Sequence, residues 1–422
     1  MDTLLGALVV ALGGLIMGSG AWPFKLMKKF QFEHWWFVGM LVGLIIMPWA
    51  ITLFGCENAI EGLKNVPFSA ILTANVFAFG WGIANVLCGL CFVRIGVALT
   101  GAILAGLGVS VGVVVPLIFK GSGQFEDAPD LGSPAGLTVL SAVGVMLVGV
   151  VIAALAGFGR DRALGKSAAT SGGFLGGLIM TIIAGVLSAG TAFTFIYAQD
   201  PIVSRLSWVR PGASVDVSIK LPTLFVREQR SSAVSGRYEV GPDGNILLKE
   251  LGPVQVGGLR AIEAGKRIAA RMQPSPADSR PDVIVSTGSI PANFGVWAVG
   301  LSAGALVNLG YAAWLLTKNR SWGIILRSGK ELALAIVIGI NFSLAVTLMG
   351  KGMLLLGVLG GSVGFGIQQA MQMTGSQAVG FISGEWRGVL GRPRVQMVTA
   401  IAVLIVAAVI MAIGNSLAKS QG

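Results

Sequence analysis

Apolar runs about twenty residues long, separated by short polar stretches, fill most of the chain. A helix needs about 20 apolar residues to cross a hydrocarbon core about 30 Å thick. Ten segments meet that requirement: 4–22, 35–54, 68–92, 95–119, 136–158, 173–197, 294–316, 331–357, 359–383 and 396–416. The eighth and ninth share one apolar stretch, with a turn expected either at Met349-Gly350-Lys351-Gly352 or at Leu359-Gly360-Gly361-Ser362. The pattern predicts an all-α polytopic membrane protein of ten transmembrane helices.

Residues 198–292 break the pattern. Val215 to Leu221 alternates with period two, as a half-buried strand does. Arg237–Val240 and Asn245–Leu248 flank Gly241-Pro242-Asp243-Gly244, which predicts a hairpin. Leu259, Ile262, Ile268 and Met272 recur at helical spacing, residues 274–281 read as a linker, and Val283–Val285 as a further strand. A small α/β domain is expected there; the alternative is a flexible linker, because so small a core is marginal without disulfides. The chain then divides into 1–197 (a first five-helix repeat plus the sixth helix), the insert 198–292, and 293–422 (the helices completing the second repeat).

Composition agrees. The chain is 54% hydrophobic and 12% charged, against about 25% charged in soluble domains. The net charge of +11 does not imply nucleic acid, because the charges lie between the apolar runs. Lys25, Lys28, Lys29, Arg94, Arg160, Arg162, Lys166, Lys318, Arg320, Arg327, Lys330, Arg387, Arg392 and Arg394 all fall in odd-numbered loops. Outside the insert, the even loops and termini carry only Lys64, Lys120 and Lys419, plus Lys351 if the eighth loop begins there. The positive-inside rule makes the odd loops cytoplasmic. Both termini and the insert are then extracytoplasmic. The Cys88–Cys91 pair has the CxxC spacing but lies in an apolar helix with no other Cys or His nearby, and reads as packing.

The end of the first segment, Gly18 to Phe24, lays on Ala189 to Phe195 of the sixth: small residues precede aromatics in both. The two segments enter the membrane from opposite sides, which is the inverted-repeat arrangement of secondary transporters. Pro23-Phe24-Lys25 with Lys28 and Lys29, Trp36, Val38-Gly39 and Met47-Pro48-Trp49-Ala50-Ile51 then resemble the bacterial L-rhamnose–proton symporter family. Trp81-Gly82-Ile83, Asn85, Gly89-Leu90, Arg94, Gly96, Asn308-Leu309-Gly310, Asn341, Glu385-Trp386 and Arg392-Pro393 extend the resemblance. It implies the drug/metabolite transporter fold, two inverted five-helix repeats in a bacterial cytoplasmic membrane, and proton-driven sugar import. The family has a short loop where this chain has its insert.

A neutral sugar is held by amides and hydroxyls with aromatic faces over its apolar side. The candidates at membrane depth are Asn75, Trp81, Asn85, Asn341, Gln368, Gln369 and Gln372. Interhelical hydrogen bonding is the alternative role for each amide. Proton coupling needs a titrating group, yet no carboxylate lies mid-span. Glu33 with His34, the only histidine, remains at the start of the second helix, where a surface His beside Trp35 and Trp36 is the plainer reading. Lys351 near an outer helix end is read as snorkelling to the interface; facing a cavity, it would favour an acidic substrate. The expected partners are a sugar, protons and the bilayer, with no cofactor, metal or nucleic acid. An oligomer contact or a glycan or protein contact through the insert is open. The rivals are a transporter or exporter of another metabolite, and a membrane-anchored sensor or scaffold acting through the insert. No nucleophile–base constellation or phosphate loop points to an enzyme.

Overall fold

A computed structural model describes residues 2–95, 97–119, 128–165, 174–220, 234–249, 251–272, 282–357 and 359–421. Gly96, Lys120, Lys166 and the linker 274–281 lie outside them, as does the side chain of Lys419.

Ten long helical stretches appear in order: α1 (Asp2–Ser19), α2 (Phe32–Gly55), α3 (Phe68–Ile95), α4 (Val97–Ile118), α5 (Pro134–Ala163), α6 (Phe174–Ser188 and Gly190–Leu206), α7 (Ile290–Gly300 and Ser302–Lys318), α8 (Gly329–Leu356), α9 (Gly360–Ile382) and α10 (Arg392–Gln421). Among the described residues eight helices are long and apolar enough to cross a membrane, and nine if α7, bent by 58°, counts as one span. The ten expected segments are therefore present as helices, but α9 does not reach the same apolarity. Its four glutamines, Gln368, Gln369, Gln372 and Gln377, are the reason.

Four helices are interrupted. α1 ends at Ser19 and gives way to a 3-10 turn at Trp22–Leu26; α2 contains a π-helical turn, Leu41–Ile46. α6 breaks at Ala189 and α7 bends at Leu301. The α8–α9 turn falls at the second expected position, beginning two residues early: the Gly360 N–H donates to the Gly357 carbonyl and Leu359 caps α9. α8 runs unbroken through Lys351, and the chain reverses at Gly357, in a left-handed conformation (φ 77°) that favours glycine.

α1 packs on α8 and α9, while α6 packs on α3 and α4. α2 packs on α8 and α3 on α7; α5 lies along α10. Small residues bring the backbones together where lipid provides no hydrophobic driving force. A Cβ on Gly43 of α2 would lie 2.7 Å from the carbonyl oxygen of Gly339 in α8. In the same way a Cβ on Gly82 of α3 would lie 2.9 Å from Cα of Gly304 in α7.

The insert is folded. α6 continues to Leu206 and α7 begins at Ile290, so the insert's own elements lie between these helix ends. β1 (Ser214–Lys220) is the centre of an antiparallel sheet of order β2–β1–β5, with β2 (Gly236–Glu239) and β5 (Asp282–Ser286) at its edges. β3 (Asn245–Leu248) pairs with β4 (Gly252–Gln255). The expected hairpin is therefore corrected: Gly241–Gly244 forms a tight turn, but β2 and β3 leave it into different sheets. The helix Ala261–Arg271 buries Ala261, Ala264, Gly265 and Ile268; of the expected stripe, Ile262 is only half-buried. Val215, Val217, Ile246, Leu248, Val254, Ile268, Val283 and Val285 form a core separate from that of the helices.

The odd connections meet at one end of the bundle. Glu385 pairs with Lys25 and with Arg160 Nη1 at 3.2 Å. Glu331 accepts from the backbone N–H groups of Lys28, Lys29 and Phe30. At the other end the insert is fastened to the α2–α3 connection. Trp208 Nε1 donates to the Glu57 carbonyl at 3.1 Å, and Arg260, 7% exposed, donates to the Arg205 carbonyl at 2.8 Å and to Glu61 Oε2 at 3.2 Å.

Candidate functional site

A cavity of about 250 Å³ lies where α1 breaks, between α2, α3, α6, α8 and α9. Trp81 and Asn85 face it from α3, and Gln368, Gln369 and Gln372 from α9. Trp35, Trp36, Ser188, Thr191 and Phe342 complete the part that matters chemically. Gln368, 3% exposed, donates from Nε2 to Gln372 Oε1 at 2.6 Å, so the two amides hold each other in place on one face of α9. Trp81 is buried and tilts against Phe342 with centroids 6.3 Å apart. Among the described residues no Asp, Glu, Lys, Arg or His lines this cavity. Its wall is mainly apolar, from Ile16, Met17, Met40, Leu104, Ile338, Val346 and Met349, with amides, hydroxyls and aromatic rings set into it.

The cavity continues into a vestibule of about 1390 Å³, sharing Met17, Trp35, Trp36, Asn85, Leu104, Gln369 and Gln372 with it. The vestibule passes Phe24, Phe32 and Cys88 and reaches Arg94, Arg160, Glu385 and Arg387, at the end carrying the odd connections. Toward the insert the way is filled. Phe195 stacks on Trp297 with centroids 5.5 Å apart, both fully buried, and Met349, Met353 and Leu356 pack beside them. The described vestibule thus leads from the site to the end carrying the odd connections.

The other sequence candidates have different surroundings. Asn75 donates to the carbonyls of Ile71 and Val299, each at 2.9 Å, and accepts from the Ala303 N–H at 2.8 Å. It satisfies the backbone freed by the bend in α7, and lines neither space. Asn341 donates to the Gly20 carbonyl at 3.1 Å and so closes the broken end of α1. His34 is not on the surface; it is 1% exposed. Its Nδ1 accepts from the Gln31 N–H at 3.1 Å, which leaves the proton on Nε2, 3.3 Å from the Ser321 carbonyl. Glu33, also buried, accepts from Asn319 at 2.8 Å. The two residues bind the start of α2 to the α7–α8 connection. Lys351 points away from the cavity, donating to the Gly288 carbonyl at 2.9 Å.

Trp35, Trp36, Ser188, Thr191 and Phe342 are lining residues that the sequence candidates do not include. A helical wheel starting from Gly39 and Met40, which also line the cavity, places Trp35 and Trp36 on the same face.

Fold and site together define a class: a polytopic helical protein with an insert domain, built around a largely apolar cavity that carries a few amides and hydroxyls. Within that class, residues 3–209 match the L-rhamnose-proton symport protein family, and the match ends five residues before β1 begins. The L-rhamnose-proton symporter of Yersinia pestis bv. Antiqua (strain Antiqua) is 31% identical over 177 residues, 42% of this chain and 50% of that protein. The symporter of Yersinia pseudotuberculosis serotype O:1b (strain IP 31758) gives the same figures. The chain spans about half the length of the curated relatives it matches. The resemblance seen in the sequence is thereby shown for the first six helices.

Proposed function

We propose that this protein is a secondary transporter that imports L-rhamnose or a related neutral sugar with protons by alternating access. The observation that carries this reading is the cavity itself. Amides and tryptophans are set into its apolar wall, no ionisable side chain lines it among the described residues, and its vestibule leads to the end carrying the odd connections. Asn85, Gln368, Gln369 and Gln372 would hydrogen-bond sugar hydroxyls, with Trp81 and Trp36 covering the apolar face of the ring. Asn75 and Asn341 act in this reading as interhelical ties.

The repeat supports transport. Exchanging α1 with α6, α2 with α7, α3 with α8, α4 with α9 and α5 with α10 maps each of the packing pairs named above (α1 on α8 and α9, α6 on α3 and α4, α2 on α8, α3 on α7, α5 along α10) onto another of them or onto itself. Ten spans in two inverted halves account for that, with the site between the halves. Under the positive-inside rule the open end faces the cytoplasm of a bacterial inner membrane, and the termini and insert face outward. Proton coupling acts outside the inner cavity in this scheme; Glu33 with His34, and Glu385 in the vestibule wall, are the groups to test. The orientation of Lys351 speaks against the acidic-substrate rival.

The test is ligand-induced thermal stabilisation of purified protein over neutral sugars and sugar acids, followed by counterflow in proteoliposomes. Stabilisation by L-rhamnose that Gln369→Ala weakens is the expected result. Stabilisation only by anions would sink the reading.

A further inference from the structure

Two aromatic stacks occupy the two ends of the path. At the end carrying the odd connections, Phe24 stacks on Trp35 with centroids 5.6 Å apart and planes at 19°. Both, with Trp36, line the open vestibule, and Phe24 is 41% exposed. At the insert end, Phe195 stacks on Trp297 at 5.5 Å and 22°, and neither has any exposed surface. The geometry of the two stacks is nearly the same; their exposure is opposite.

Their surroundings correspond along the chain, with Trp36, the neighbour of the stacked Trp35, in the place of Trp297. Trp36-Phe37-Val38-Gly39 in α2 and Trp297-Ala298-Val299-Gly300 in α7 share the pattern W-x-V-G. The same shift carries Gly43 onto Gly304, and these make equivalent close approaches, Gly43 to Gly339 of α8 and Gly304 to Gly82 and Ala78 of α3. It also carries the π-helical turn of α2 onto the segment just after the bend of α7. Phe24 follows the break in α1, as Phe195 follows the break in α6.

The buried stack also holds orphaned polar atoms. Asn293 donates to the Thr347 carbonyl at 3.1 Å, but its Oδ1 has no partner, nor has Trp297 Nε1. Buried polar atoms are nearly always paired. Two orphans at one closed constriction fit a second arrangement in which both meet water or ligand.

We propose that the Phe195–Trp297 stack is the insert-side gate of the transport path and that Phe24, Trp35 and Trp36 form the opposite gate, the two closing alternately. The structure has the first shut and the second open. When the insert side opens, Trp297 Nε1 and Asn293 Oδ1 turn to the path and become contacts for its hydrated contents. The proposal rests on the transport reading but not on the identity of the sugar.

The experiment places a single reporter, Val346→Cys, in the cavity wall, with Cys56, Cys88 and Cys91 replaced by Ser. Membrane vesicles of both orientations are treated with an impermeant thiol reagent. The parent labels fast from the odd-loop side and slowly from the insert side. Trp297→Ala and Phe195→Ala should raise the insert-side rate at least several-fold, and Trp297→Phe should restore the slow rate. An unchanged insert-side rate in Trp297→Ala, with odd-loop-side labelling retained, overturns the gate. If Trp297→Ala does not fold, Phe195→Leu decides, since it keeps bulk and loses stacking: a faster rate supports the gate and the parent rate overturns it. Labelling needs no substrate. A gate response without sugar flux would therefore count against the sugar reading alone, and flux without a gate response against the gate alone.

Discussion

The Lys351 ammonium donates to the Gly288 carbonyl at 2.9 Å, so this lysine turns toward the segment that leads from β5 into α7. Its charge is satisfied outside the cavity. Lys351→Met should therefore leave the ranking of neutral sugars over sugar acids unchanged in the thermal-shift panel. A switch of preference would show that the lysine does reach the substrate.

Asn85 and Gln369 line both the cavity and the vestibule, so a bound sugar would contact them whichever way it enters. Replacing either with Ala removes one neutral hydrogen bond, about 0.5–1.5 kcal/mol. Affinity should fall about 3- to 10-fold at each position, as titration of the thermal shift would show. Asn75→Ala should instead lower thermal stability without a selective effect on affinity, because its amide serves the bend in α7.

Gly339 of α8 would place a Cβ 2.6 Å from the Gly39 carbonyl oxygen and 2.7 Å from Cβ of Val42. Gly339→Ala forces the α2–α8 backbones apart and should cost about 1–3 kcal/mol, the usual range for overpacking. Gly144, with no atom within 4 Å of its added Cβ, is the control. Gly144→Ala should leave the unfolding midpoint in detergent within error of the parent.

Arg260 joins the insert to the bundle through two backbone carbonyls and Glu61, and lies over the Trp208 ring with 5.2 Å to its centroid. Glu61 is solvent-exposed, so the ion pair itself contributes little. The carbonyls matter more, because Arg260→Ala leaves that of Arg205 without its side-chain donor, at a cost of about 1–3 kcal/mol. The expected signature is faster proteolysis of the insert with the helical portion intact. Equal proteolysis would mean that the insert's own core holds it in place.

Asp243 in the turn before β3 accepts from the Asn245 side chain at 2.6 Å and from its N–H at 3.1 Å. These bonds hold the carboxyl below its usual range. A depressed pKa contributes stability above the unfolded value, about 3.9, and loses it as the pH falls through the folded one. Asp243→Ala should therefore destabilise the insert at pH 7 and do so less at pH 3, as the difference in proteolysis rate would report.

Much of the insert was legible because strand alternation and helical spacing are local signals. β1, β5 and the helix Ala261–Arg271 all follow from them. The pairing of β2 and β3 was not legible, because a tight turn fixes the reversal of the chain and not the partner each strand will take. At the site, Trp81, Asn85 and the three glutamines stood out because polar groups at membrane depth are costly. Nothing in the spacing separated them from Asn75 and Asn341, whose amides meet the exposed backbone of a bent and a broken helix.

The sequence by itself determined the apolar segments, the end of the bundle that carries the basic loops, and the presence of a folded insert. Each follows from transfer free energy or from periodicity, which act residue by residue. Only the tertiary structure decided which amides face a shared cavity, that His34 is enclosed and Lys351 turned outward, and that one aromatic stack is buried while the other lines the vestibule. Those properties belong to the packing of one helix against another, and the spacing within a single helix cannot express them.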